Sequence, residues 1–270
     1  MNLMNSLRYC AIAVACVMPV TVLAVPITVD QLQLSEAQKI ALLRQLQAPS
    51  IATLVAAPGI AFGSPVGFGQ FLGELSFGLA GETLPRSSDK SLDGSFAATA
   101  GLGTVKTVGL EVGLNVISLT EGFGDSGSFS AKLHKLIGRS SSISIGSESF
   151  GPWGLAKQRD ASLYGVVTHI ARLPGNMPLA VNLGVGNNRF RDANQTVEDN
   201  KIGVFGGLAL VLNTRTSLIV DYTGVGLNLG VSVVPLPQLP VTATLGVINV
   251  TEQEDNSAEF SAAVGYRVAF

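Results

Sequence analysis

The sequence predicts an all-β chain: a single transmembrane antiparallel up-and-down β-barrel of about twelve strands, preceded by a leader with one short helix. Three observations carry this prediction. From Phe71 to Phe270, apolar side chains alternate with small or polar ones in segments of roughly 10 residues, the pattern of barrel strands that present one face to hydrocarbon and the other to an enclosed interior. The connections between those segments alternate in length. The 270-residue chain is also 47% apolar and only 13% charged, against the roughly 25% charge of ordinary soluble chains. After its first residues, the longest apolar run (51–62) is broken by Pro58 and Gly59. Only helices and closed barrels satisfy every backbone group in lipid, so a chain without a spanning helix is left with the barrel.

Residues 1–24 read as a secretory signal. Arg8 supplies the basic start, residues 10–24 are apolar, and Val22-Leu23-Ala24 places short side chains at the expected cleavage positions. Both cysteines, Cys10 and Cys16, fall inside this segment. The remainder of the chain therefore has no thiol for a disulfide, a nucleophile or a zinc site. The net charge of −2 and the absence of a Lys/Arg cluster argue against a nucleic-acid partner.

Residues 25–70 form the leader. Ser35-Glu36-Ala37-Gln38 fits a capping box, Ile40, Leu42, Leu43 and Leu46 follow as an apolar stripe, and Ala48-Pro49 ends it. This predicts a helix over Ser35–Gln47. The helix lies in the periplasm, plugs the barrel or packs on a partner. The rest of the leader is rich in Gly, Ala and Pro and reads as irregular.

Residues 71–270 form the barrel. Strands are expected at Phe71–Ala80, Ser95–Leu102, Val108–Ser118, Ser128–Ile137, Ser141–Ser147, Ser162–Arg172, Pro178–Gly186, Lys201–Leu212, Ser217–Thr223, Leu227–Val234, Val241–Val250 and Glu259–Phe270. The third is the clearest: Val108, Leu110, Val112, Leu114 and Val116 alternate with Gly109, Glu111, Gly113 and Asn115. The sixth is ambiguous, because both of its faces carry apolar residues. Placing His169 inward keeps an imidazole out of lipid and turns Tyr164, Val166 and Ile170 outward. Links after even strands are short (103–107, 138–140, 173–177, 213–216, 235–240) and most links after odd strands are longer (81–94, 119–127, 148–161, 187–200, 251–258). The tight 224–226 turn is the exception. Short periplasmic turns and long outer loops are the outer-membrane arrangement.

The last segment places Phe260, Ala262, Val264, Tyr266, Val268 and Phe270 on one face, against Glu259, Ser261, Ala263, Gly265, Arg267 and Ala269. This resembles the assembly signal of bacterial outer-membrane β-barrels. Gly265, Tyr266, Val268 and Phe270 fall on its positions, with Val268 a departure from the usual aromatic. The resemblance is to the porin-like superfamily over about residues 71–270. It implies location in the bacterial outer membrane, contact with outer-membrane lipid, and insertion by the barrel-assembly machinery.

No cofactor or metal motif is present. His134 and His169 do not stand in a zinc-ligand spacing, and no catalytic residue is predicted. The inward candidates are Glu74, Glu111, Lys132, His134, His169, Asp221, Glu259 and Arg267. Charges in an enclosed interior must pair or meet water. Closure of the barrel is expected to pair Glu74 with Arg267. Register places Glu111 near Lys132 and His134, while Asp221 has no local partner. The abundant inward Gly, Ala and Ser leave space and favour a small channel for passive diffusion of a small polar solute. A closed barrel acting through its outer loops or N-terminal helix is the alternative. The 148–161 loop, with Phe150 and Trp153, either folds inward as a constriction, caps the outer mouth or stays solvated.

Overall fold

The structure, a computed structural model, describes residues 56–83, 92–120, 122–191, 202–251 and 258–270. The signal segment and the Ser35–Gln47 helix lie outside the described residues.

Twelve strands close into one barrel, each antiparallel to its neighbours in sequence, and the last pairs with the first. They are β1 (Glu74–Thr83), β2 (Leu92–Gly103), β3 (Gly109–Ile117), β4 (Gly127–Ile137), β5 (Ser141–Trp153), β6 (Ser162–Leu173), β7 (Met177–Gly186), β8 (Gly203–Asn213), β9 (Thr216–Tyr222), β10 (Leu227–Val233), β11 (Val241–Ile248) and β12 (Glu259–Ala269). Short 3-10 turns occur at Gly154–Gln158 and Asn188–Phe190. Closure removes the unpaired edges that an open sheet would present.

The distribution of polarity is inverted relative to a water-soluble core. Outward side chains such as Leu79, Ile145, Leu163, Leu183, Leu245 and Phe260 are more than half exposed, whereas the inward Ser142, Thr168, Ser217, Asp221 and Ser232 are completely buried. Period-two alternation produces this directly, because successive side chains on a strand point to opposite faces.

Three differences from expectation concern the interior. β1 begins at Glu74, and Phe71 is not a strand residue. Its ring packs edge-on against His134, with centroids 4.7 Å apart. β6 faces the other way: Tyr164, Val166 and Thr168 are buried inward, and His169 is exposed on the outer face. The reason is an aromatic cluster inside the barrel, where Tyr164 meets Phe190 at 5.8 Å and Phe190 stacks on Phe205 at 4.4 Å. Apolar packing of Tyr164 outweighs the cost of an outward His169, which lies near the short-turn rim rather than at mid-height.

The third difference is that β5 continues through Trp153, so the first part of the expected 148–161 loop, residues 148–153, is strand. Irregular pairing with β4 and positive φ at Ser149 (59°) and Gly151 (55°) mark a bulged stretch. Phe150 and Trp153 pack against Phe129, with centroids 6.0 and 5.5 Å apart, instead of folding into the lumen as a constriction.

Candidate functional site

The interior of the barrel is occupied by the end of the leader. Residues 56–73 enter at the short-turn end beside β9–β11, rise to an apex at Phe62-Gly63-Ser64, and descend along β3–β6 to join β1. Their order of contacts traces this path. Thr242 Oγ1 donates to the carbonyl of Ala57 (3.1 Å) and Ser217 Oγ to that of Gly59 (2.6 Å). At the apex, Asn228 Nδ2 donates to the carbonyl of Phe62 (2.8 Å). On the descent, Ser142 Oγ donates to the carbonyl of Gly67 (2.6 Å), and the Gly67 amide donates to Thr168 Oγ1 (2.7 Å). Residues 62–70 are all buried.

Nearly every bond runs from an inward barrel side chain to the main chain of this segment. Buried backbone groups require partners, and an extended segment has none of its own. The inward Ser, Thr, Asn and Asp residues therefore take the place of a neighbouring strand.

Asp221 is the anchor of the apex. Its Oδ2 accepts from the amides of Phe62 (3.0 Å) and Ser64 (2.8 Å), and its Oδ1 accepts from Ser64 Oγ. Two fixed amides and a hydroxyl converge on this one carboxylate, and hydrogen bonds to such a group are among the stronger ones. On the loop side, Arg189 reaches the carbonyl of Gly63 at 3.3 Å, forms an ion pair with Glu148, and lies 4.1 Å over the ring of Phe190. The 3-10 turn that carries Arg189 thus covers the apex.

The descending limb is held by charge. Glu111 and Lys132, on paired positions of β3 and β4, are 3.0 Å apart and buried. Glu111 Oε2 also accepts from the Gln70 amide (3.0 Å), and His134 Nε2 lies 2.8 Å from the Gln70 carbonyl. His134 therefore serves Gln70 while sharing the strand with Lys132. At the seam, Glu74 lies 2.7 Å from Arg267 and accepts from the Phe71 amide at 2.7 Å. This fixes the point where the segment becomes β1. Glu259 is buried near the opposite, loop-side rim of the lumen, at the start of β12. His169 contributes nothing to the interior. Its Nδ1 lies 2.8 Å from Ser141 Oγ on the outer face. No Asp or Glu occupies the outward face of β4–β7 beside it, so the pair lacks the orienting carboxylate of a Ser-His-Asp arrangement.

The inward glycines are the other half of the fit. A Cβ on Gly246 would come within 2.6 Å of the Phe62 ring. One on Gly101 would be 2.2 Å from the Phe71 carbonyl oxygen. Space that looks open along the strands is filled by the inserted segment and inward rings. Within the segment, a Cβ on Gly67 would lie 2.4 Å from the Ser142 carbonyl oxygen and 3.0 Å from the Thr168 nitrogen, both backbone atoms of the wall. Gly67→Ala is therefore expected to weaken seating by about 1–3 kcal/mol, the range for overpacking. The readout is a lower midpoint for heat-induced loss of the compact gel mobility. Gly165→Ala, whose nearest neighbours are 3.9 Å away, is expected to leave that midpoint unchanged.

The molecule is thus a closed twelve-strand antiparallel barrel whose lumen holds a re-entrant segment of its own chain. No protein-family profile matches the sequence, and no similar curated protein was found. Among solved structures, the low-pH structure of Pseudomonas putida OprB aligns over 89% of this chain and 97% of that chain, at 9% identity and a TM-score of 0.26. The barrel is established by the strand pairing of this chain itself.

Proposed function

We propose that this protein is a bacterial outer-membrane barrel, exported by the 1–24 segment and closed at rest by residues 56–73, which passes small polar solutes by diffusion only when that segment leaves the lumen. The observation that carries this reading is the seating of the segment at Asp221, where one carboxylate holds both sides of the apex. The apolar exterior supports a lipid environment, and the alternation of short turns with longer loops supports short turns facing the periplasm. Terminal residues Gly265, Tyr266, Val268 and Phe270 are the proposed contact for the assembly machinery. No step in this function is enzymatic.

Plugging changes the channel expectation in one respect: a solute path requires displacement of the segment. Planar-bilayer recording tests it. The full chain is expected to be mostly silent, and a variant lacking residues 57–69 to conduct steadily. Equal steady conductance from both would remove the plug from the mechanism. Silence from both, with the compact gel form retained, would favour the alternative, a closed barrel acting through its loops or leader.

A further inference from the structure

The short-turn rim of the barrel carries a set of exposed cations. Lys106, Arg139 and Arg215 sit in or beside the turns β2–β3, β4–β5 and β8–β9, and Arg172 lies at the end of β6. Lys135 and His169 project from the outer face itself, and all six are exposed. Among the described residues, the acids nearest that end, Glu74 and Glu111, turn inward onto Arg267 and Lys132. Among the described residues, no exposed Asp or Glu lies at this rim. The long-loop end is mixed instead: Asp125 and Asp160 are exposed there together with Lys157, and Glu148 is paired with Arg189.

The strand register makes this rim more than a set of solvated turns. Lys135 is paired with Ile143, which is paired with Val167; Ser141 is paired with His169, which is paired with Val181. These two rows are neighbours on the outer face, and Lys135 stands between the outward Leu133 and Ile137. An ammonium at that height, flanked by apolar side chains, is stable when its stem lies along them and its head reaches the polar boundary of the hydrocarbon, where lipid headgroups lie. Ser141 orients His169 in the same band, and Asn176 accepts from Arg172 at 2.7 Å.

We propose that the short-turn rim, through Lys106, Lys135, Arg139, Arg172 and Arg215 with His169 between them, is a binding surface for the phosphate headgroups of anionic phospholipids in the adjoining leaflet. The inference rests on the membrane reading above. It adds a lipid partner that selects charge, so the barrel is held at a fixed height and orientation by one leaflet.

The test uses the full chain, folded in detergent and equilibrated with equal amounts of phosphatidylglycerol and phosphatidylcholine, with co-purifying lipid counted by mass spectrometry. Phosphatidylglycerol is expected to be enriched about tenfold, since cations near a charged lipid surface contribute additively, and the enrichment is expected to fall as salt rises. Replacing the five Lys and Arg residues by Gln is expected to abolish it, while K157Q at the loop end leaves it intact. Inorganic phosphate exchanged for chloride at constant ionic strength is expected to leave the enrichment in place. Equal retention of both lipids, persistence of the enrichment in the five-residue variant, or displacement by free phosphate would each overturn the proposal. Flotation with vesicles of either lipid reports on the membrane reading separately: a chain that floats with both but selects neither loses only the headgroup surface, and a chain that floats with neither loses the membrane reading itself.

Discussion

Asp221→Ala is expected to release the apex of the inserted segment and to convert a mostly closed barrel into one with frequent openings. The carboxylate is fully buried and accepts from two amides and a hydroxyl. Alanine leaves those three donors facing a small void in a polar interior. Each buried donor left without an acceptor costs about 1–3 kcal/mol, and water entering the void favours the lower end, so the closed state loses about 3 kcal/mol. A change of that size multiplies the open-to-closed ratio by about a hundred, at 1.4 kcal/mol per factor of ten. Open probability in planar bilayers measures it. The barrel wall itself should survive, because the β8–β9 and β9–β10 ladders are made by backbone groups. Asp221→Asn gives the finer reading. The amide retains one acceptor oxygen, so the increase in open probability should be smaller. An alanine variant with unchanged open probability and an intact barrel would show that the apex is not the latch.

The sequence made the wall of this molecule legible and hid its contents, for a physical reason. All twelve strands follow from alternation, because a strand that faces two environments must carry the difference in every residue pair. The Glu111–Lys132 pair is legible as well: counting back from a hairpin fixes which residues face each other. Glu74 and Arg267 meet because closure makes the first and last strands neighbours. Asp221 is different. Its partners, Phe62 and Ser64, lie 159 and 157 residues away in a segment without periodicity. A segment that is bound through its backbone has no need of a side-chain pattern, so no local rule could point to it. The inward glycines were equally ambiguous. Small residues on the concave face accompany either an open lumen or a filled one, and only the rings of Phe62, Phe190 and Phe205 decide between them. The facing of β6 was undetermined because Leu163 and Val167 on one face match Tyr164 and Val166 on the other. His169 then pointed the wrong way, since the cost of an outward imidazole depends on its height along the barrel.

The second large effect concerns the buried pair on β3 and β4. Lys132→Met removes the cation that lies 3.0 Å from Glu111 and leaves the carboxylate with the Gln70 amide as its remaining described partner. Breaking a buried pair from one side typically costs about 3–5 kcal/mol, because an uncompensated charge remains. Glu111→Gln breaks it from the other side and strands the ammonium, while its side-chain oxygen can still accept from Gln70. The double variant Glu111→Gln, Lys132→Met removes both charges and keeps that acceptor, so most of the loss should be recovered. This non-additivity is the diagnostic, since groups that share one interaction do not contribute independently. Urea midpoints of the detergent-folded protein measure it, provided the slope of the transition is unchanged. The expected order is full chain, then double variant, then Glu111→Gln, with Lys132→Met lowest. A double variant as unstable as the sum of the singles would mean that the two charges contribute independently and do not act as a pair. The expected recovery would instead show that the two charges act as one pair, whose carboxylate also accepts from the Gln70 amide through Oε2.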